Sequence, residues 1–494
     1  MRNLLLASCL SVLLFNAESL PAAEDPNQVL HLLNRITYGP TPFEQAEVQR
    51  IGMSAYIEQQ LHPENIPDSQ QLQQALAALS TTRESLYELS QQYLPPEENL
   101  SPDEKKAARQ KAKIVVDEMR EAKLLRAIYS QAQLQELMVD FWFNHFNVFV
   151  DKGPDRILIG TYERDAIRPH TMGKFRDLLE AVSHHPAMLV YLDNYLNTDP
   201  NSMAARGKKN GINENYAREI MELHTMGVNG GYTQADVTTL AHILTGLGLG
   251  YGPRKDRAEK FSEVAFDPKR HDFSSKEFLN TPVYGRGEQE IEQALDMIAN
   301  QPATAHYISY KIAQYFVTDN PPETLVKAMA DTFTRTGGDI RSVLSTMLYS
   351  KEFWDPKNTN NKFKSPLRYA VSAIRLSGAP VYDMDVLHQH IQQMGEPLYA
   401  CLTPDGYANV NDIWLNSDAL LKRIDFARVT VNGKFLKKDD SRQSSVKPTE
   451  VSLPSMISAM GGLLSANTQK TINNAEQPKI KPILLLSSPE FVYY

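Results

Sequence analysis

Two carboxylates one helical turn apart, Glu219 and Glu222, have a spacing that suits chemistry. They stand in Asn213-Glu-Asn215-Tyr-Ala-Arg218-Glu219-Ile-Met-Glu222-Leu-His224-Thr-Met-Gly227. On a helix, Asn215, Glu219 and Glu222 share a face, with Arg218 at its edge. Such a pair can hold a divalent metal, or its members can take divergent pKa values and act as acid and base. His224 follows Glu222 by two residues, so a regular helix points it elsewhere, and it joins the carboxylates only if the helix unwinds before Gly227. The competing reading is a structural network of Arg218 with Glu219 and Glu222.

A second concentration of polar groups lies in Glu136-Leu-Met-Val-Asp140-Phe-Trp-Phe-Asn144-His145-Phe-Asn147. Glu136, Asp140, Asn144 and Asn147 fall on one helical stripe, and His145 lies away from it beside Phe141 and Val148. Buried among aromatic side chains, these groups need hydrogen bonds, because an unpaired one costs about 1–3 kcal/mol. They are either a polar contact holding neighbouring helices in register or, with Asp140 and Asn144 turned to a substrate, part of a site.

Arg164 and Arg168 are four residues apart in Tyr162-Glu-Arg-Asp165-Ala-Ile-Arg-Pro169-His170. Shared on one helix face they could grip an oxyanion or phosphate, and ion pairing with Glu163 and Asp165 explains them equally. Arg270-His271-Asp272 with Lys276 reads as a loop whose histidine is solvated, and Pro404-Asp-Gly-Tyr407 reads as a turn with Trp414 as an anchor beyond it. The sequence holds no Walker loop, dinucleotide fingerprint, Gly-x-Ser-x-Gly elbow, Cys-x-x-Cys pair or His-Glu-x-x-His.

The elements that must position these residues are mainly helical. Helices are expected over Gln28–Asn34, Thr41–Gln60, Leu134–Phe149, Asn213–Met226, Gln234–Gly246, Glu288–Val317, Leu367–Leu376, Asp383–Met394 and Ser417–Val431. Glu323–Phe353 is a further one, broken at Gly337-Gly338, and Thr161–Leu196 carries two segments broken near Pro169 and Pro186. The charged stretch Leu94–Lys123 reads as a solvated helix or flexible insertion, Gly246–Asp272 as loop or short strand, and Phe435–Lys447 as a mobile polar stretch. The fold class is therefore mainly α: a large multi-helix body with long loops and few or no short strands. One helical domain over 24–494 is expected, with room for two lobes meeting near 250–285.

At 494 residues and 42% hydrophobic content the chain can bury a large core. A net charge of −8 gives no long-range attraction to nucleic acid, and Arg206, Lys208 and Lys209 read as a solvated loop rather than a basic patch. Arg2, the apolar stretch Leu4–Phe15 and the small residues ending at Ala22-Ala23 follow the pattern of a signal peptide over 1–23. That stretch is shorter than the roughly 20 residues that span a bilayer, and no transmembrane segment is expected elsewhere. Cys9 would leave with the signal, or carry lipid, and Cys401 is read as a buried apolar residue.

Taken together, several blocks resemble a bacterial family catalogued as domain of unknown function 1800. They are Leu33-Asn-Arg35-Ile-Thr-Tyr-Gly39-Pro-Thr-Pro42, Phe141-Trp-Phe-Asn-His145-Phe, Tyr162–His170, His185-Pro-Ala-Met-Leu-Val-Tyr-Leu-Asp-Asn194, and Asn213–Tyr232. Later ones are His271-Asp272 to Leu279, Lys364-Ser-Pro-Leu, Pro404–Tyr407, Trp414-Leu and Ser488-Pro-Glu-Phe491. The resemblance runs from about residue 28 to the C-terminus. It implies a secreted or envelope-directed helical protein whose gene often neighbours a second exported protein of the alkaline phosphatase and sulfatase superfold, and no accepted activity comes with it.

Three functional classes remain. The first is a periplasmic or extracellular enzyme, metal-assisted, acting on a polymer or another exported protein, with Glu219 and Glu222 as ligands or acid–base pair and His145 or His224 near them. The second is a non-catalytic partner or carrier for the neighbouring sulfatase/phosphatase-like protein. The third is a structural envelope component.

Overall fold

The computed structural model describes residues 24–94, 101–206, 211–251, 261–381, 383–433, 435 and 452–494. The signal-peptide reading, with Cys9, lies outside them, as do Lys208, Lys209 and almost all of the polar stretch 435–447. Helices dominate, and among the described residues the strands form two antiparallel pairs. Leu247–Tyr251 pairs with Phe261–Phe266, and Lys276–Phe278 pairs with Thr281–Val283. One contiguous hydrophobic core takes side chains from Val29 through to Val492. No helix described is long and apolar enough to cross a membrane.

The charged stretch becomes the longest helix described, Pro102–Tyr129. Ser101 and Glu104 close a capping box at its start, and Pro102 occupies its first turn. Its first two turns are exposed, but Val115, Val116, Met119, Ala122 and Lys123 recur at helical spacing on a buried face. It is thus a core helix with a solvated N-terminal end.

The aromatic helix spans Gln133–His145 and stops four residues short of the expected Phe149. It holds the centre of the fold, with Trp142 fully buried and its indole N–H bonded to the Thr171 carbonyl at 3.2 Å. The expected helix over Glu288–Val317 is two helices, Glu288–Ala299 and Pro302–Phe316. Pro302 lacks the N–H that a continuous helix would require and instead begins the second one.

The segments holding the candidate residues are wider than regular helices. Tyr162–Ile167 and Ile220–Thr225 are both π-helical turns, each continuing an α-helix that precedes it. Such turns are rare and recur at functional sites.

The Leu33–Pro42 block proves to be a clasp. Arg368 donates through Nη2 to the carbonyls of Asn34, Arg35 and Thr37, at 2.6, 3.0 and 3.0 Å. Arg375 reaches the Gly39 carbonyl at 3.1 Å and grips Glu44 with two bonds of 2.6 and 2.7 Å. Both arginines come from the Pro366–Ser377 helix, so this block is joined to a helix more than 300 residues away.

Candidate functional site

Side chains of the Gln133–His145 helix form the floor of a cleft. Asp140, Phe143 and Asn144 line it with Lys123, Tyr315, Ser365 and Arg368, and with the segment from Glu396 to Trp414. The cavity has a volume of about 70 Å³.

The 401–407 loop is fastened to that floor by amides. Asn144 Nδ2 donates to the Tyr407 carbonyl and Asn144 Oδ1 accepts the Tyr407 N–H, both at 2.8 Å. Asn147 donates to the carbonyls of Cys401 and Thr403, at 3.0 and 2.8 Å. Between them Gly406 lies at φ +68°, and a Cβ there would stand 2.2 Å from the Asn144 carbonyl oxygen, so only glycine fits. Tyr407 and Trp414 meet at 5.7 Å between ring centroids to form an aromatic wall. Cys401 is buried and unpaired.

Beneath the floor runs a buried chain of charges. Arg168 grips Glu136 with two bonds of 2.7 and 2.9 Å and lies 3.7 Å from Glu163. Lys123 Nζ lies 3.6 Å from Glu163 and 2.9 Å from Asp140. The Tyr399 hydroxyl donates to Glu163 at 2.8 Å, and the Tyr315 hydroxyl stands 3.5 Å from Asp140. Burial opposes the charge on Glu163, but Lys123 and Arg168 outweigh it and hold its pKa below the usual carboxylate range. Burial likewise opposes the charge on Lys123, and Asp140 and Glu163 outweigh it and raise its pKa. Tyr399 takes φ +62°, a strained conformation for a bulky side chain, while its ring lines the cleft.

The second carboxyl of the cleft is Glu396. It is buried and accepts the Leu367 N–H at 2.7 Å. Burial, reinforced by the nearby Asp140 charge, pushes its pKa up to about 7. Two carboxyl groups in one cleft, one ion-paired and one held near neutrality, are an arrangement from which acid and base roles separate.

The expected residues divide differently. Asp140 and Asn144 do line this cleft. Arg164 and Arg168 both line a second, smaller cavity beside Glu163, each with its own partners. Arg164 binds Asp165 and the carbonyls of Thr82 and Glu84, whereas Arg168 belongs to Glu136 and Glu163. His145 and His224 do come together, with His145 Nε2 3.0 Å from the His224 carbonyl. They meet in the core and not beside the carboxylates. Burial lowers His224 to about 3, and burial with Lys311 nearby keeps His145 well below its ordinary value, so both are neutral. The helix widens into a π-turn instead of unwinding, which leaves Glu219 and Glu222 at the half-exposed surface.

There burial, then Glu222 and Asp405, raise the Glu219 pKa. Glu222 is 3.5 Å from the Tyr232 hydroxyl. Arg218 turns to Gln234 at 2.8 Å and Glu214 at 3.9 Å, and of the expected network with Glu219 and Glu222 there remains its charge acting on Glu219. Gly227, at φ +78°, lets the chain pass Tyr307, whose ring a Cβ would approach to 2.8 Å.

His271 is not solvated but buried, 3.2 Å from Glu290, and Asp272 stands 2.9 Å from His242. Glu396, Lys123, Tyr315 and Tyr399 gave no signal as a site in the sequence. They are single residues drawn together from distant segments, and only the 401–414 turn hinted at the loop that covers them.

Residues 31–493 match the family described as "Protein of unknown function (DUF1800)". The chain belongs to that family. No curated protein and no solved structure matches it.

Proposed function

We propose that this member of the DUF1800 family is an exported enzyme that acts on an envelope or extracellular polymer by general acid–base chemistry in the Asp140–Glu396 cleft. One observation carries the reading: a buried carboxyl of pKa about 7 shares an open cleft with a second carboxylate anchored by a buried lysine. Glu396 is the proton donor, and its pKa suits transfer near neutral pH. Asp140, oriented by Lys123 and Tyr315, is the acceptor. The tilted Tyr407–Trp414 wall and the side chain of Asn409 offer stacking and an amide hydrogen bond, which suit a hydroxylated chain such as a polysaccharide. Asp405 comes near Glu219 from the loop that carries Tyr407, so Glu219 and Glu222 extend an acidic rim along which a polymer could lie.

The test incubates the purified mature chain with isolated cell-wall sacculi and with extracellular polysaccharide, and follows soluble products by mass spectrometry. Glu396→Gln and Asp140→Asn should each lower product release by roughly 100-fold or more. Equal release by the wild type and both variants, or none from any, rejects the reading.

A second reading rests on the apolar surface next to the cleft. Leu415, Leu420, Ile424, Val492 and Tyr493 line an apolar groove of about 320 Å³, and Leu421 beside it is 66% exposed. Such a patch suits docking of the neighbouring sulfatase/phosphatase-like protein. Leu420→Asp with Ile424→Asp should abolish co-purification of the two proteins while leaving the cleft intact.

A further inference from the structure

Away from the cleft, three ligand-type side chains from three separate elements converge. Asp199 follows the short helical turn Asn194–Leu196, His242 lies in the last turn of Gln234–Ile243, and Asp272 follows the strand Phe261–Phe266. One carboxylate oxygen of each aspartate and one ring nitrogen of His242 all lie within 4.8 Å of one another.

The detail that distinguishes this group from an ordinary ion pair is its direction. His242 Nδ1 is 2.9 Å from Asp272 Oδ2, yet this fully buried nitrogen makes no hydrogen bond. At that separation it is the alignment of the two groups that fails. Two ligands in adjacent positions around one ion, each about 2.1 Å from it, stand about 3 Å apart without that alignment.

The surroundings hold the backbone at all three positions without help from an ion. The Asp199 N–H donates to the Arg270 carbonyl at 2.9 Å, and the Asp272 N–H donates to Thr245 Oγ1 at 3.0 Å. Thr245 Oγ1 in turn donates to the His242 carbonyl at 2.6 Å. Both carboxylates are oriented too. Asp199 Oδ1 accepts the Asn201 N–H at 3.1 Å, and Asp272 Oδ1 accepts the Ser274 N–H at 2.9 Å. Lys276 is the nearby cation, 3.9 Å from Asp272 Oδ1, but it is committed to Glu290 at 3.0 Å and to the carbonyls of Asp272 and Ser274. It steadies the oxygen that faces away from His242, as outer groups do around ligating carboxylates.

We propose that Asp199, His242 and Asp272 form a site for one divalent transition-metal ion. One imidazole with two carboxylates favours the zinc and manganese class over calcium or magnesium, which prefer oxygen alone. Three protein ligands leave positions for water, and the His242 and Asp272 side chains are partly exposed, at 28% and 16%.

The experiment is calorimetric titration of the full chain, first stripped with chelator, with Zn²⁺ and separately with Mn²⁺. About one equivalent of at least one ion should bind. His242→Ala and Asp199→Asn should each weaken binding by roughly tenfold or more. Asp140→Asn should leave it unchanged, which separates this site from the proposed cleft chemistry. The bound ion should also raise the thermal midpoint of the wild type and not that of Asp199→Asn, the variant to rely on if His242→Ala does not fold. Absence of binding of either ion, equal binding by both variants, or loss of binding in Asp140→Asn overturns the proposal.

Discussion

Lys123 Nζ lies 2.9 Å from Asp140 and 3.6 Å from Glu163, so one buried ammonium serves two carboxylates that line different cavities. Removing it leaves Asp140 without its cation and Glu163 with Arg168 alone. Lys123→Met should destabilise the fold by about 3–5 kcal/mol, read from the urea midpoint at pH 7. The pKa of Glu163 is held low in the folded protein, so the stability it contributes is present above its unfolded pKa and lost as pH falls through the folded one. The penalty of Lys123→Met should therefore shrink below about pH 4. A pH-independent loss, or one under about 1 kcal/mol, contradicts this role for the lysine.

Glu396 titrates in the opposite sense. Its folded pKa of about 7 lies above the usual carboxyl range, so its stabilising contribution is full below about pH 4.3 and is lost as pH rises to 7. Glu396→Gln should make the protein more stable than wild type at pH 8, by up to about 3 kcal/mol, with the difference vanishing near pH 4. Thermal melts of both proteins across that range check it. A constant difference would show that Glu396 titrates alike in the folded and unfolded chain.

Asp155 is a carboxyl of another kind. It is fully buried at the start of the Asp155–Thr161 helix, neither carboxylate oxygen has a partner, and burial pushes its pKa well above the ordinary value. Asp155→Asn removes the need to protonate or desolvate it. The variant should gain roughly 1–3 kcal/mol at pH 7 and little at pH 4, measured by chemical denaturation. A loss at pH 7 would mean that the carboxylate has a binding role in the native protein.

Gly406 tests the fastening of the loop. Alanine there meets both the positive φ and the Asn144 carbonyl oxygen. Gly406→Ala should cost about 2 kcal/mol or more and speed hydrogen exchange across residues 401–414. Unchanged exchange would show that the loop is held by other contacts.

How far the sequence foretold this arrangement depends on the distance over which residues act. Gly337-Gly338 ended a helix where expected, because a cap is a local device. The helix expected from Gln234 begins there, capped by Thr233, for the same reason. Pro302 divided an expected long helix in two, where apolar periodicity alone masked the missing N–H. Asp140 and Asn144 stood out because polar residues amid Phe and Trp need partners, and both reach the cleft. Lys123 was hidden, since its carboxylates lie on other elements and the charged stretch that it ends reads as solvated. The π-turns were invisible too, so the faces assigned to Arg168 and His224 by regular helical spacing were displaced.

A π-turn differs from the surrounding α-helix by one additional residue in the coil, and that residue count sets the direction of everything after it. Deleting one residue from 162–167 would let the helix close to its ordinary pitch and swing Arg168 by about 100°, away from Glu136. The same deletion within 220–225 would swing His224 out of the core. At these two places the number of residues is itself inherited information. An insertion or deletion there would be tolerated far less than most single substitutions, although each segment reads as unremarkable helix.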